Sequence, residues 1–91
     1  MNQNQLYKLI QKYGFTVLVF EDHPQFFGNW LVKLKGGQEY YEVISDNREG
    51  WLTFIQGVND SRKKIDEVES YKFSQNEVLH QIEEWLKKEK G

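Results

Sequence analysis

No cysteine occurs in the 91 residues, and that absence removes a disulfide framework, a thiolate metal site and a cysteine nucleophile together. A chain without disulfides suits a reducing compartment, so the expected location is the cytoplasm. No run approaches the roughly 18 consecutive apolar residues of a membrane span. The N-terminal MNQNQLYKLIQKYG lacks the apolar stretch and small-residue cleavage site of a secretory signal. Neither a membrane partner nor export is expected. Alanine is missing entirely, proline occurs once, and two arginines stand against ten lysines, the bias that an AT-rich genome produces.

Catalytic signatures are equally scarce. The two histidines, His23 and His80, match no spacing such as H-E-x-x-H. His23 beside Asp22 has the makings of a base with an orienting carboxylate, but a solvated histidine in a turn before Pro24 is the ordinary reading. Glu39, Glu42, Asp46 and Glu49 do not follow the alternate-position spacing of a calcium loop. The glycines fall at turns and strand boundaries, with no glycine-rich strand-to-helix loop for phosphate. Arg62-Lys63-Lys64 is followed at once by Asp66, Glu67 and Glu69, which cancel much of its field, so nucleic acid is not an expected partner. The chain reads as a non-enzyme without metal or cofactor.

What the chain does contain is aromatic. Six Phe, five Tyr and three Trp supply the core of one domain spanning residues 1–91, since each ring buries roughly 150 to 250 Å². Net charge is −2 but unevenly placed: residues 1–35 balance to +2, residues 36–60 to −4, and residues 61–91 to zero.

Leu6, Leu9, Ile10 and Tyr13 recur at helical spacing and Gly14 offers a C-cap, which predicts a helix over 3–13. The apolar run Phe15 to Phe20 suits a central strand covered on both faces. Alternation then predicts strands over 27–35, 38–45 and 51–56, the first two joined by Gly36-Gly37 in a hairpin. Within 38–45, Tyr41 and Val43 oppose Tyr40, Glu42 and Ile44, and either set could face inward. Residues 59–73 fit helical and extended patterns equally, with a short helix over 61–69 as one reading. Ser74 followed by Glu77 forms a capping-box pair, and Val78, Leu79, Ile82, Trp85 and Leu86 make an apolar stripe ending in Lys87, Lys88 and Lys90. The expected fold is α+β: a four-stranded antiparallel meander with a helix at each end, in the order α-β-β-β-β-α.

Tyr40, Tyr41 and Trp51 cluster around the acidic hairpin 38–51. Rings framed by one sign of charge are what protein interfaces use, with aromatics as anchors and carboxylates steering a basic partner. A solvated, charged strand edge is the plainer alternative.

Residues 6–56, with Phe27-Gly28-Asn29 opening an alternating strand and a polar turn holding Asp46 and Arg48, resemble small immunity proteins of bacterial polymorphic and contact-dependent toxin systems. In that pattern the acidic and basic turn residues are adjacent, whereas Asn47 intervenes here. The resemblance implies a cytoplasmic inhibitor of one cognate toxin. A nuclease suits an acidic inhibitor, because enzymes that bind nucleic acid carry basic clefts. The residues expected to meet such a partner are Glu39, Tyr40, Glu42, Asp46, Glu49 and Trp51. The alternative is a small regulatory or scaffold domain that self-associates through an exposed strand.

Overall fold

A computed structural model describes residues 1–90, without the side chain of Lys90. Helix α1 (Gln3–Lys12) begins where the Asn2 side chain accepts from the Gln5 N–H at 3.1 Å and ends at Gly14, whose φ of +83° is cheap only for glycine. Five antiparallel strands follow, β1 (Thr16–His23), β2 (Asn29–Gly36), β3 (Glu39–Asp46), β4 (Trp51–Gln56) and β5 (Lys63–Glu69), and helix α2 (Gln75–Lys90) closes the chain. The strands lie in the order in which they occur. At the start of α2 the expected capping box forms in both directions: Ser74 N–H donates to Glu77 Oε1 and Glu77 N–H to Ser74 Oγ, each at 3.2 Å.

Four expectations are corrected. The sheet has five strands rather than four, because residues 59–73, whose pattern fits helix and strand equally, supply β5 after a single 3-10 turn at Asn59–Ser61. There is no helix over 61–69. The charge density that hid this strand suits its position, since edge strands carry charge to discourage further pairing. The apolar strand at residues 15–21 is β1, and it lies at the opposite edge, not at the centre. Leu18 is an extra residue at a bulge between Val17 and Val19, and both Leu18 and Val19 are exposed. The bulge breaks the alternation, so an unbroken apolar run covers one face and an edge rather than two faces. The β2–β3 turn is also displaced by one residue: Gly36 pairs with Glu39, and Gly37-Gln38 form the bend with φ +61° at Gly37.

Residues opposite one another in neighbouring strands share a face. One face carries the row Phe20, Val32, Val43, Phe54 and Asp66, flanked by Trp30, Ser45, Leu52 and Val68 on one side and Leu34 and Tyr41 on the other. Leu6 and Ile10 of α1 and Ile82, Trp85 and Leu86 of α2 join these residues in a single core. Tyr41 and Val43 therefore point inward, which decides between the two readings of that strand. The centre is a chain of rings: Phe15 meets Tyr41 edge-on at 5.6 Å, Tyr41 stacks on Phe54 at 5.5 Å, and Phe54 stacks on Trp85 at 5.2 Å. Trp85 Nε1–H satisfies itself on Asp66 at 2.8 Å, which ties α2 to the charged edge strand. Both helices join the core on this side, leaving the opposite face of the sheet for other uses.

Candidate functional site

The face away from the helices carries Leu31, Lys33, Tyr40, Glu42, Ile44, Trp51, Thr53 and Ile55 in cross-strand register. Its acidic residues are not free at the centre. Glu42 has a side chain only 12% exposed, and Arg62 Nη2 donates to its Oε1 at 2.7 Å. Lys33 stands directly opposite on β2. A buried carboxylate stripped of such partners would be strongly destabilising, so Glu42 belongs to the architecture of this face. Arg62 comes from the segment that periodicity did not resolve, although the basic run 62–64 had marked it. Beside this pair lies a groove of about 440 Å³ lined by Leu18, Lys33, Tyr40, Glu42, Val58 and Arg62. Tyr40 is 37% exposed, and the Lys35 ammonium sits 5.3 Å from its ring centre. Here Lys33, Lys35 and Arg62 more than balance the one carboxylate, Glu42.

Acidity survives at one end of the sheet, where β1 finishes, β2 starts, β3 finishes, β4 starts and β5 finishes. Asp46 builds the β3–β4 turn: its Oδ1 accepts from the Arg48 and Glu49 N–H groups, each at 3.1 Å, and Gly50 closes the turn at φ +79°. Asn47 then joins this turn to the β1–β2 loop. Its N–H donates to Asn29 Oδ1 at 2.7 Å, its Nδ2 donates to the Gly28 carbonyl at 2.8 Å, and its Oδ1 accepts from Ser45 Oγ at 3.1 Å. The residue inserted between Asp46 and Arg48 is thus the clasp between two loops. A third connection docks beside them, with Ser70 N–H donating to the Gly50 carbonyl at 2.7 Å and Tyr71 packed on Gly50.

Three rings project from this clasped end: Phe26 at 64% exposed, Phe27 at 65% and Tyr71 at 68%, with Trp51 beside them at 37%. Phe27 adopts φ +61°, a left-handed conformation that costs a residue with a side chain about 1–2 kcal/mol. The Arg48 guanidinium lies 5.8 Å from the Phe27 ring centre and the Lys72 ammonium 5.4 Å from that of Tyr71. Glu21, Asp22, Glu49 and Glu69 are exposed around them. His23, weighed in sequence as a base, has its ring 6.4 Å from Phe26, edge to face.

The six residues expected to meet a partner therefore divide. Asp46, Glu49 and Trp51 are together at the acidic end, whereas Glu39, at the other end of β3, accepts from Gln56 Nε2 at 3.2 Å and is about 23 Å away at ~3.3 Å per residue. Tyr40 and Glu42 lie between, on the face away from the helices. Phe26 and Tyr71 had no place among the sequence candidates, because a ring in an irregular loop contributes nothing to periodicity; Phe27 entered through its motif and as the start of the strand expected over 27–35, which begins instead at Asn29.

Among the described residues no group of three or more His, Asp or Glu is placed to hold a metal ion, and no helix is long and apolar enough to cross a membrane. Comparison with known protein families, with characterised proteins and with solved structures returns no match.

Proposed function

We propose that this chain is a non-enzymatic binding protein of the immunity type, which neutralises a cognate bacterial toxin by covering a basic surface of it, a nuclease cleft being the best chemical fit. The observation that supports this reading most directly is the clustering of exposed rings at one end of the sheet with carboxylates that outnumber the cations Arg48 and Lys72. Apolar anchors within a rim of one charge are the composition of an interface with an oppositely charged protein. Asp46, Glu49 and Trp51 belong to the contact surface, whereas Tyr40 lies with Glu39 toward the other end of β3, and Glu39 and Glu42 contribute at most to long-range steering.

The test begins with the tagged chain expressed in its own host and the protein that co-purifies with it. Recovery of one toxin with a basic face is expected, with association slowed when Glu49→Lys and Glu69→Lys are combined and less sensitive to salt, because rim charges act mainly on encounter. A partner lacking a basic face, or an association rate indifferent to those reversals, would count against the proposal.

A second reading has its own observation. Edge strand β1 leaves Leu18 and Val19 exposed, a template for pairing with another strand. Self-association through it predicts a mass that rises with concentration in sedimentation of the purified chain.

A further inference from the structure

The β1–β2 loop holds an arrangement that folding does not require. Phe26 and Phe27 are both about two-thirds exposed and belong to no part of the core. Phe27 is held in the left-handed region, where an aromatic residue is disfavoured and glycine would sit without strain. The loop is fixed from outside itself: Asn47 grips the Gly28 carbonyl and Asn29 Oδ1, and Arg48 lies over the Phe27 ring. Strain sustained by surrounding contacts is characteristic of residues positioned for recognition. A ring immobilised before binding loses little further entropy when it docks, which is how a small number of aromatic side chains come to dominate an interface.

From these observations we infer that Phe26 and Phe27 form a preset apolar plug that enters a hydrophobic pocket on a protein partner, and that the pocket is rimmed by lysine or arginine. The charge of the rim follows from Glu21, Asp22, Glu49 and Glu69 around the plug, which outnumber its two cations, Arg48 and Lys72. The same carboxylates disfavour the other destination for exposed phenylalanines, the surface of an anionic bilayer. This inference rests on the protein-binding reading above and assigns its anchors.

The probe is the partner recovered with the wild-type chain, purified and titrated against three forms: wild type, the double variant Phe26→Ser with Phe27→Ser, and Phe27→Gly. The glycine variant removes one ring while relaxing the backbone, so a loss of affinity with it cannot be ascribed to misfolding. The double variant is expected to weaken binding by about 30-fold or more, the scale of a hot spot, with an unchanged urea-unfolding midpoint, and Phe27→Gly by about tenfold with a midpoint no lower than wild type. Undiminished affinity in both variants, with association still slowed by Glu49→Lys combined with Glu69→Lys, would overturn the plug and leave the binding function standing. If wild type recovers no partner, both proposals fail. In that case, co-sedimentation of wild type but not the double variant with phosphatidylcholine–phosphatidylglycerol vesicles would assign the rings to a bilayer.

Discussion

Replacing Gly36 by alanine tests the packing that positions the β2–β3 hairpin. A Cβ at residue 36 would lie 2.4 Å from Phe15 Cε2 and 2.6 Å from Cδ2, so one of the two must retreat by about 1 Å to reach ordinary contact. Gly36 does not occupy the left-handed region, so the backbone itself accepts alanine and the effect is steric. Phe15 cannot swing aside freely: it is 6% exposed and abuts Tyr41, the next ring in the stack that ends on Trp85. Overpacking of this kind costs about 1–3 kcal/mol, offset by the ~0.5–1 kcal/mol that alanine gains over glycine in a regular element. The expected net loss is therefore about 1 kcal/mol, or roughly 4–8 °C in Tm for a domain of this size. Urea unfolding followed by circular dichroism, with the slope unchanged, measures it. Phe15→Leu removes the clashing ring atoms, so its combination with Gly36→Ala should fall short of the sum of the single losses by about 1 kcal/mol, the scale seen for residues in contact. Gly36→Ala as stable as wild type, or strict additivity with Phe15→Leu, would refute the contact.

The left-handed residue and the ionised groups give further expectations. Phe27→Gly should be more stable than Phe27→Ala by about 0.5–1 kcal/mol, because relief of ~1–2 kcal/mol of backbone strain exceeds the extra chain entropy of glycine; equal midpoints in urea would contradict the conformation. The Trp85 indole N–H holds the Asp66 carboxyl below its usual range, the Thr53 hydroxyl does the same for Glu67, and the Tyr13 hydroxyl for Glu83. Groups with lowered folded values contribute stability that is complete above the ordinary carboxylate range and is lost as pH falls through it toward the folded values. Trp85→Phe and Tyr13→Phe should therefore each flatten the acid side of the stability profile, measured as urea midpoint against pH. At the alkaline side, the hydrogen bond to Glu83 pushes Tyr13 from 10.0 to about 12. Its contribution persists below pH 10 and disappears between there and pH 12, and Tyr13→Phe should abolish that component of the decline.

The helices were legible because their information is local. Leu6 and Ile10, or Ile82 and Leu86, lie four residues apart and bury together, and the Ser74–Glu77 exchange joins residues only three positions apart. Strands carry less of their identity in their own residues. In β5 only Val68 faces the core at the expected density, while Asp66 and Glu67 are justified by Trp85 and Thr53, residues far off in sequence. In β1 the place at the sheet edge and the bulge at Leu18 leave partly exposed a run that looked doubly buried. The candidate site was legible as chemistry and not as place: acidic and aromatic residues near one another in the chain are spread along β3 by its length, and the clasp made by Asn47 draws in rings from loops that no spacing rule connects.

The two edges of the sheet differ in a way that limits how copies of this molecule could assemble. Along β5, Lys63, Lys64, Asp66, Glu67 and Glu69 and an extra residue at Ile65 deter a further strand, while β1 has only the bulge and two terminal acids to do so. A sheet with one open edge has one place to grow. Contact of β1 with β1 is isologous and uses both open edges at once, whereas the head-to-tail contact of β1 with β5 that would propagate into a fibre meets a closed edge. Any assembly built by strand addition stops at two copies, and a single chain from another protein added at β1 stops it at one.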